Sequence, residues 1–463
     1  MRRLAWIILL LSACGDDLTD RFAELVQVSG ATPFDATCGN GGDPSLHEAQ
    51  EVEPSLAVDP NDARHFVAAW QQDRWTDGAS RGLVAGASFD GGRTWTTTPL
   101  GMTTCAGGAF ARASDPWVAI GGDGTAYAMG LTVDGARSGM AVARSSDGGA
   151  TWAAPELIID DDDPDVFNDK NSITADPTDP ARVYATWDRL TGVLMPMKPI
   201  GTGPTMLARR TAGAWETARA IYDPGIDAQT IGNVIVVTRD GTLVDVFLRF
   251  QMASTTSPMV DLDVIRSIDH GDTWSAPIHI ADLQAIGVKD PRNGRFVRTG
   301  EGLPAIASDP TSDRVYITWE SRFGDVDGIA LARSDDGGQT WGAPIQVNQD
   351  HDAQAYTPSV AVAADGAVGV TYYDTRDDDP VHDAQHFTNA VFLATSRDGG
   401  ATWSEERLTG GFDLRPSQVG DVYFLGDYQA LAASESTFVP FFVAAYVSPE
   451  DPTDVFVRPL PPP

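Results

Sequence analysis

One octapeptide governs what this chain can become. It reads SFDGGRTW at 88–95, SSDGGATW at 145–152, SIDHGDTW at 267–274, SDDGGQTW at 334–341 and SRDGGATW at 396–403. A decayed copy, RTAGAWET, stands at 210–217. The tryptophans (Trp95, Trp152, Trp215, Trp274, Trp341 and Trp403) follow one another at intervals of 57, 63, 59, 67 and 62 residues. Such spacing marks an array of like units, each unable to bury its apolar face alone. It argues against a string of unrelated domains, the first expectation for 463 residues.

A second periodic element fixes the count. Short apolar runs ending in a turn occur as SLAVDP (55–60), WVAIGGDG (117–124), SITADP (172–177), VIVVTRDG (234–241), AIASDP (305–310), VAVAADG (360–366) and ALAASES (430–436). Each is followed by another β-rich run, and a third run leads into the octapeptide, as in GLVAGAS and GIALARS. Runs of this length bounded by Asp-Gly and Asp-Pro turns read as strands. Composition agrees: of 65 acidic residues 53 are Asp, a turn and cap former, and 46 Gly and 30 Pro add to the turn signal. Four antiparallel strands per unit, arranged radially, give an all-β fold, a β-propeller. The spacing predicts seven blades, with six as the alternative. The last unit lacks an octapeptide, and the run 23–29 (AELVQVS) is expected to supply its outer strand and close the ring.

The start of the chain reads as an address. Met1-Arg2-Arg3 is cationic, Leu4 to Leu11 is apolar, and LSAC (11–14) follows. The tetrad resembles the lipobox of bacterial lipoproteins, which implies a signal peptide over 1–13 and lipidation of Cys14. A lipidated segment would then span 14–50 and the propeller 51–463. The protein is expected to be exported and anchored by lipid to the cell envelope, on the periplasmic or the surface side, as a monomer. Two cysteines remain, Cys38 and Cys105, both in Gly-rich loops, and an exported compartment permits a disulfide between them. With no Cys-x-x-Cys and no His cluster, no zinc site is expected.

The net charge of −33 excludes a nucleic-acid surface. Against that background the arginines stand out. Loops leaving the second strands read WQQDR (70–74), WDR (187–189), WESR (319–322) and YDTR (373–376), each an aromatic, an acid and an Arg. Loops entering the first strands add Glu53, Arg112, Asp115, Asp169, Lys170, Asn171, Arg298, Glu301, Tyr356, Asp427 and Tyr428. Convergent guanidinium groups suit a carboxylate or sulfate ligand; repeat-borne salt bridges are the competing reading.

Ser-x-Asp-x-Gly-x-Thr-Trp resembles the Asp box, or BNR repeat, of sialidases and other secreted propellers. There it staples a hairpin on the rim and carries no chemistry. The resemblance implies a sialidase-like exo-glycosidase acting on the terminal acidic sugars of glycans: a Tyr nucleophile activated by a Glu, an Asp acid/base, and Arg residues on the sugar carboxylate. Carried over by position, these are Tyr428 (GDYQAL), Glu301 (GEGLPAIASD) and Asp77 (WTDGAS), with Arg74, Arg112, Arg298, Arg322 and Arg376 for the substrate. The sequence departs from the family where Val52 occupies the register of a required Arg and Gln429 replaces a Ser. A non-catalytic propeller binding glycan or protein at the cell surface is the alternative. No cofactor is expected, although the acid runs Asp160 to Asp163 and Asp377 to Asp379 could hold Ca²⁺; a solvated loop is the other reading.

Overall fold

The computed structural model describes residues 24–39, 43–192, 201–251, 259–300, 302–448 and 451–462. The leader with Cys14, and Glu301, lie outside the described residues. Within them the fold is all-β. The strands group into seven successive antiparallel meanders whose first strands are Leu46–Asp59, Arg112–Ile120, Val166–Ala175, Ala228–Val237, Ala305–Ser308, Ala355–Val362 and Ala430–Ser434. Each first strand lies against the first strand of the next meander. Ala430–Ser434 lies against both Ala355–Val362 and Leu46–Asp59.

The octapeptides form the hairpin tips between third and fourth strands, and their chemistry explains the recurrence. Asp147 Oδ1 accepts the Ser145 hydroxyl at 2.7 Å and the Thr151 amide at 2.9 Å, while Oδ2 accepts the Thr151 hydroxyl at 2.5 Å. Ser145 Oγ in turn accepts the Gly149 amide at 2.8 Å. Asp90, Asp269, Asp336 and Asp398 repeat this net. Gly148 and Gly149 sit at φ of 72° and 86°, where a side chain would be strained. The decayed copy keeps the hairpin without the acid: Ala212 and Gly213, at φ of 50° and 92°, make a two-residue turn between Thr211 and Ala214.

The core sits between neighbouring meanders. Val67, Ala85, Val118 and Ala128 join the first to the second, and Val246, Val264, Ile317 and Trp319 join the fourth to the fifth. Each such valine or isoleucine side chain contributes about 1.5–3 kcal/mol on full burial. Trp95 stands between the first and last meanders, its ring 6.4 Å from Phe66 and 6.0 Å from Phe441.

Both ends of the described chain dock at this meeting point. Val26–Gln27 pairs antiparallel with Asp451–Val457, adding the outer strand that the seventh meander lacks, and the Val28 amide donates to the Val455 carbonyl at 2.8 Å. At the other end, the Leu460 amide donates to the Gly91 carbonyl at 2.8 Å, and Arg64 Nη1 to the Pro461 carbonyl at 3.1 Å. Cys38 and Cys105 are joined in a disulfide, their Cα atoms 5.6 Å apart. Among the described residues no helix is long and apolar enough to cross a membrane.

One element has no counterpart in the repeat. Val297–Arg298 pairs in parallel with Val422–Phe424, so the segments before the fifth and seventh meanders are tied together. This small sheet sets Arg298 beside Asp427.

Candidate functional site

The site is built by bulges. In five of the seven first strands the ladder slips by one residue near the entrance: Val52/Ser55, Ser114/Trp117, Asp169/Ser172, Ile231/Val234 and Tyr356/Ser359. The slipped residues are Glu53, Asp115, Lys170, Gly232 and Thr357, at φ of 56°, 50°, 43°, 75° and 48°. A non-glycine residue at positive φ costs on the order of 1–3 kcal/mol, and bulges re-aim side chains. Here the strain brings Glu53, Asp115 and Lys170 together.

Lys170 is the hub. Its Nζ donates to Asp115 Oδ1 at 2.8 Å and to Asp427 Oδ2 at 2.5 Å, and lies 3.8 Å from Glu53 Oε1. Arg298 grips the same Asp427 with two nitrogens, Nε donating to Oδ1 at 2.7 Å and Nη2 to Oδ2. Arg74 Nη1 donates to Gln71 Oε1 at 2.8 Å, and the Gln71 amide donates to Glu53. Both guanidinium groups lie on one ring: the central carbons of Arg74 and Arg298 are 4.3 Å and 4.8 Å from the centroid of Phe424.

These groups open into a cavity of 620 Å³ lined by Glu53, Arg74, Asp77, Arg112, Asp115, Asp169, Lys170 and Arg298, among others. A smaller cavity of 170 Å³, which shares Lys170 with it, takes residues from the entrance of every first strand, including Pro54, Trp117, Gly232, Leu303, Thr357 and Tyr428. The electrostatics divide the acids into two kinds. Burial, reinforced by the Asp115 charge, pushes Glu53 up to about 7 and Asp169 up to about 6. Burial also opposes the charge of Asp427, yet Lys170 and Arg298 outweigh it and hold that carboxyl far below the usual range. The pocket thus sets acids able to hold a proton near neutral pH beside a carboxylate that stays ionised.

Of the residues expected from sequence, Arg74, Arg112, Arg298 and Asp77 share the large cavity. Asp77 is paired with Arg112 Nη1 at 2.6 Å. Tyr428 lines the smaller cavity; its hydroxyl donates to the Pro116 carbonyl at 3.0 Å and its ring lies 5.3 Å from Trp117. Burial raises the Tyr428 phenol well above its ordinary value, and Glu53 is the charge that bears on it most. Arg322 and Arg376 do not line the large cavity. Arg322 turns back on its own hairpin, donating to the Gly324 carbonyl at 2.7 Å. Arg376 is held by Asp374 at 2.7 Å and Glu405 at 2.9 Å and stacks on Phe392.

The acid runs are engaged by arginines: Asp160 with Arg137, Asp161 with Arg189 and Asp378 with Arg292. Phe424, which seats two of the pocket guanidinium groups, belongs to none of the repeating runs. A signal for the bulge residues does exist: Glu53, Asp115 and Thr357 each precede a proline at the mouth of a first strand.

Repeating meanders stapled by Ser-Asp-Gly-Thr-Trp hairpins, with a charged mouth where their first strands begin, are what the chain shares with BNR-repeat proteins over part of its length. Residues 205–419 match the BNR repeat-like domain, and the hairpins at 88–95 and 145–152, outside that span, carry the same net. No curated protein matches the sequence. Among solved structures the chain is similar to the alpha-L-arabinanase of Penicillium chrysogenum complexed with arabinobiose, at 11% identity and a TM-score of 0.49, over 94% of this chain and 97% of that one. It is also similar to the alpha-L-arabinofuranosidase of Fusarium graminearum with arabinobiose, at 12% identity and a TM-score of 0.43, over 85% of this chain and 99% of that one. A third likeness is to an ulvan lyase of a polysaccharide lyase family, at 11% identity and a TM-score of 0.46, over 78% and 80% of the two chains.

Proposed function

We propose that the chain is a seven-bladed propeller, closed by its N-terminal strand, whose mouth takes a terminal acidic sugar of a glycan and removes it as a sialidase-type exo-glycosidase. The observation that carries this reading is the cavity itself: Arg74, Arg112, Lys170 and Arg298 line one space with Glu53 and Asp169. A sugar carboxylate would meet guanidinium groups whose planar forks suit it. Glu53, held near 7, is matched in proton affinity to acid–base work at neutral pH. Tyr428 would serve as nucleophile only after exchanging its bond to the Pro116 carbonyl for one to a base, and Glu53 is the described acid that bears on it most. Seven first strands touching in cyclic order support the blade count, and the pairing of Val26–Gln27 with Asp451–Val457 supports the closure.

A second reading, binding without turnover, draws on a specific fact: the charges already answer one another, Lys170 and Arg298 to Asp427 and Arg112 to Asp77. Such a site would exchange these internal pairs for ligand contacts and do no chemistry. In either case we place the protein outside the cytoplasm, a monomer tethered by lipid at Cys14; the Cys38–Cys105 disulfide supports an oxidising compartment.

The deciding experiment is release of a fluorogenic sialoside by the full-length chain beside Tyr428→Phe and Glu53→Gln. Turnover abolished in both variants supports the hydrolase. Absence of turnover, with saturable binding of a sialylated glycan that Arg298→Ala weakens, establishes the binding module. Neither turnover nor binding removes the acidic-sugar assignment.

A further inference from the structure

Where the first and last meanders meet, three carboxylates face one another. Glu51 on Leu46–Asp59 and Asp454 on Asp451–Val457 are buried, and Asp451 is half-buried at the head of the latter strand. One oxygen from each lies within 4.8 Å of the other two. The backbone fixes this arrangement: Gln50 pairs in parallel with Thr453, and the Thr453 hydroxyl donates to the Glu51 carbonyl at 2.8 Å.

The surroundings satisfy the acids only in part. Glu51 Oε1 accepts the Gln72 amide, but Oε2 is buried with no partner. Asp454 Oδ1 accepts Gln27 Nε2 and Ser29 Oγ, both at 2.7 Å. Among the described residues the charges acting on Glu51 and Asp454 are those of other acids. Leaving such a group without a counter-charge is expensive, since an unpaired buried carboxylate costs several kcal/mol. A set of three carboxylates with no nitrogen or sulfur ligand is the chemistry of a hard cation. Carboxylates drawn from two strands and set in place by backbone pairing suit the larger and less demanding shell of calcium better than the strict octahedron of magnesium.

We propose that Glu51, Asp451 and Asp454 form a Ca²⁺ site that fastens the first meander to the last and, through Asp454, to the N-terminal strand. None of the three lines the 620 Å³ cavity, so the site is distinct from the mouth.

The test uses the full-length chain stripped of metal with a chelator, titrated with CaCl₂ by calorimetry and followed by thermal unfolding. One Ca²⁺ is expected per chain, with a melting temperature that climbs with calcium concentration as mass action requires. Asp451→Asn, at a half-buried position, should weaken calcium binding at least about tenfold, equivalent to about 1.4 kcal/mol. Asp162→Asn, in the acid run, should leave it unchanged. The wild-type titration stands alone if a variant fails to fold. No calcium uptake by the wild type, a response to Mg²⁺ but not Ca²⁺, or full calcium affinity in both Asp451→Asn and Glu51→Gln would overturn the assignment.

Discussion

The guanidinium carbon of Arg74 lies 4.3 Å from the centroid of the Phe424 ring. Arg298 uses the same ring at 4.8 Å, so one aromatic residue from the segment before the last meander seats two cations from elsewhere in the chain. A cation over an aromatic face gains about 0.5–2 kcal/mol, more when water is excluded. Phe424→Leu keeps an apolar filler and removes the π face. It should weaken binding of an acidic saccharide by about tenfold, measured by calorimetry, because both arginines lose their seat. Unchanged affinity would mean that the ring only packs.

The octapeptide acids foretell an acid limb in the stability curve. Asp147 is held down to about 2 by the Thr151 and Ser145 hydroxyls and the Thr151 amide, and Asp90 and Asp398 are likewise depressed to about 2. A depressed carboxyl contributes stability that is present above its ordinary value of 3.8 and lost as pH falls through about 2. Asp147→Asn should therefore melt below the wild type at pH 6, with the gap narrowing between pH 4 and pH 2. A gap that stays constant with pH would sink this account.

Glu53 runs the other way. Raised from 4.5 to about 7, it keeps in the folded chain a proton that the unfolded chain has released. Its contribution is full below about 4.5 and is lost as pH rises through 7. Glu53→Gln cannot lose that proton, so its melting temperature should gain on the wild type between pH 5 and pH 8, while the proposed sialoside turnover should be lost. Asp169, raised to about 6, titrates in the same sense, and the variant should keep part of the slope.

The disulfide closes a separation of 67 residues. On the chain-entropy account its removal by Cys38→Ser with Cys105→Ser should cost about 2–4 kcal/mol, read from denaturant midpoints. The oxidised wild type treated with reductant should approach the same midpoint. Matching midpoints before and after reduction would show that the bridge contributes nothing.

The periodic part of this structure was legible because periodicity is local chemistry repeated. Each Ser-Asp-Gly-Thr-Trp hairpin is stapled within eight residues, and each first strand announces itself by an apolar run and a turn. What escaped is what depends on distant pairing. Phe424 and Arg298 meet through a two-residue parallel ladder between segments with no repeat signature, and no window of sequence contains both. The direction of Glu53 and Lys170 follows from a one-residue slip in strand register, which reverses a side chain without altering composition. Arg322 and Arg376 show the converse: their motifs match that of Arg74, yet a hairpin carbonyl takes one and a carboxylate pair takes the other.

The two ends of the described chain hold opposite sides of the same junction. The N-terminal strand lies on the last meander, and the residues after Val457 cross to the first hairpin, where Leu460 meets Gly91. Fraying of these two segments is therefore opposed, since each is hydrogen-bonded to a meander. Persistence against proteases at this junction would then be set by the rate of whole-molecule opening rather than by breathing of these two segments.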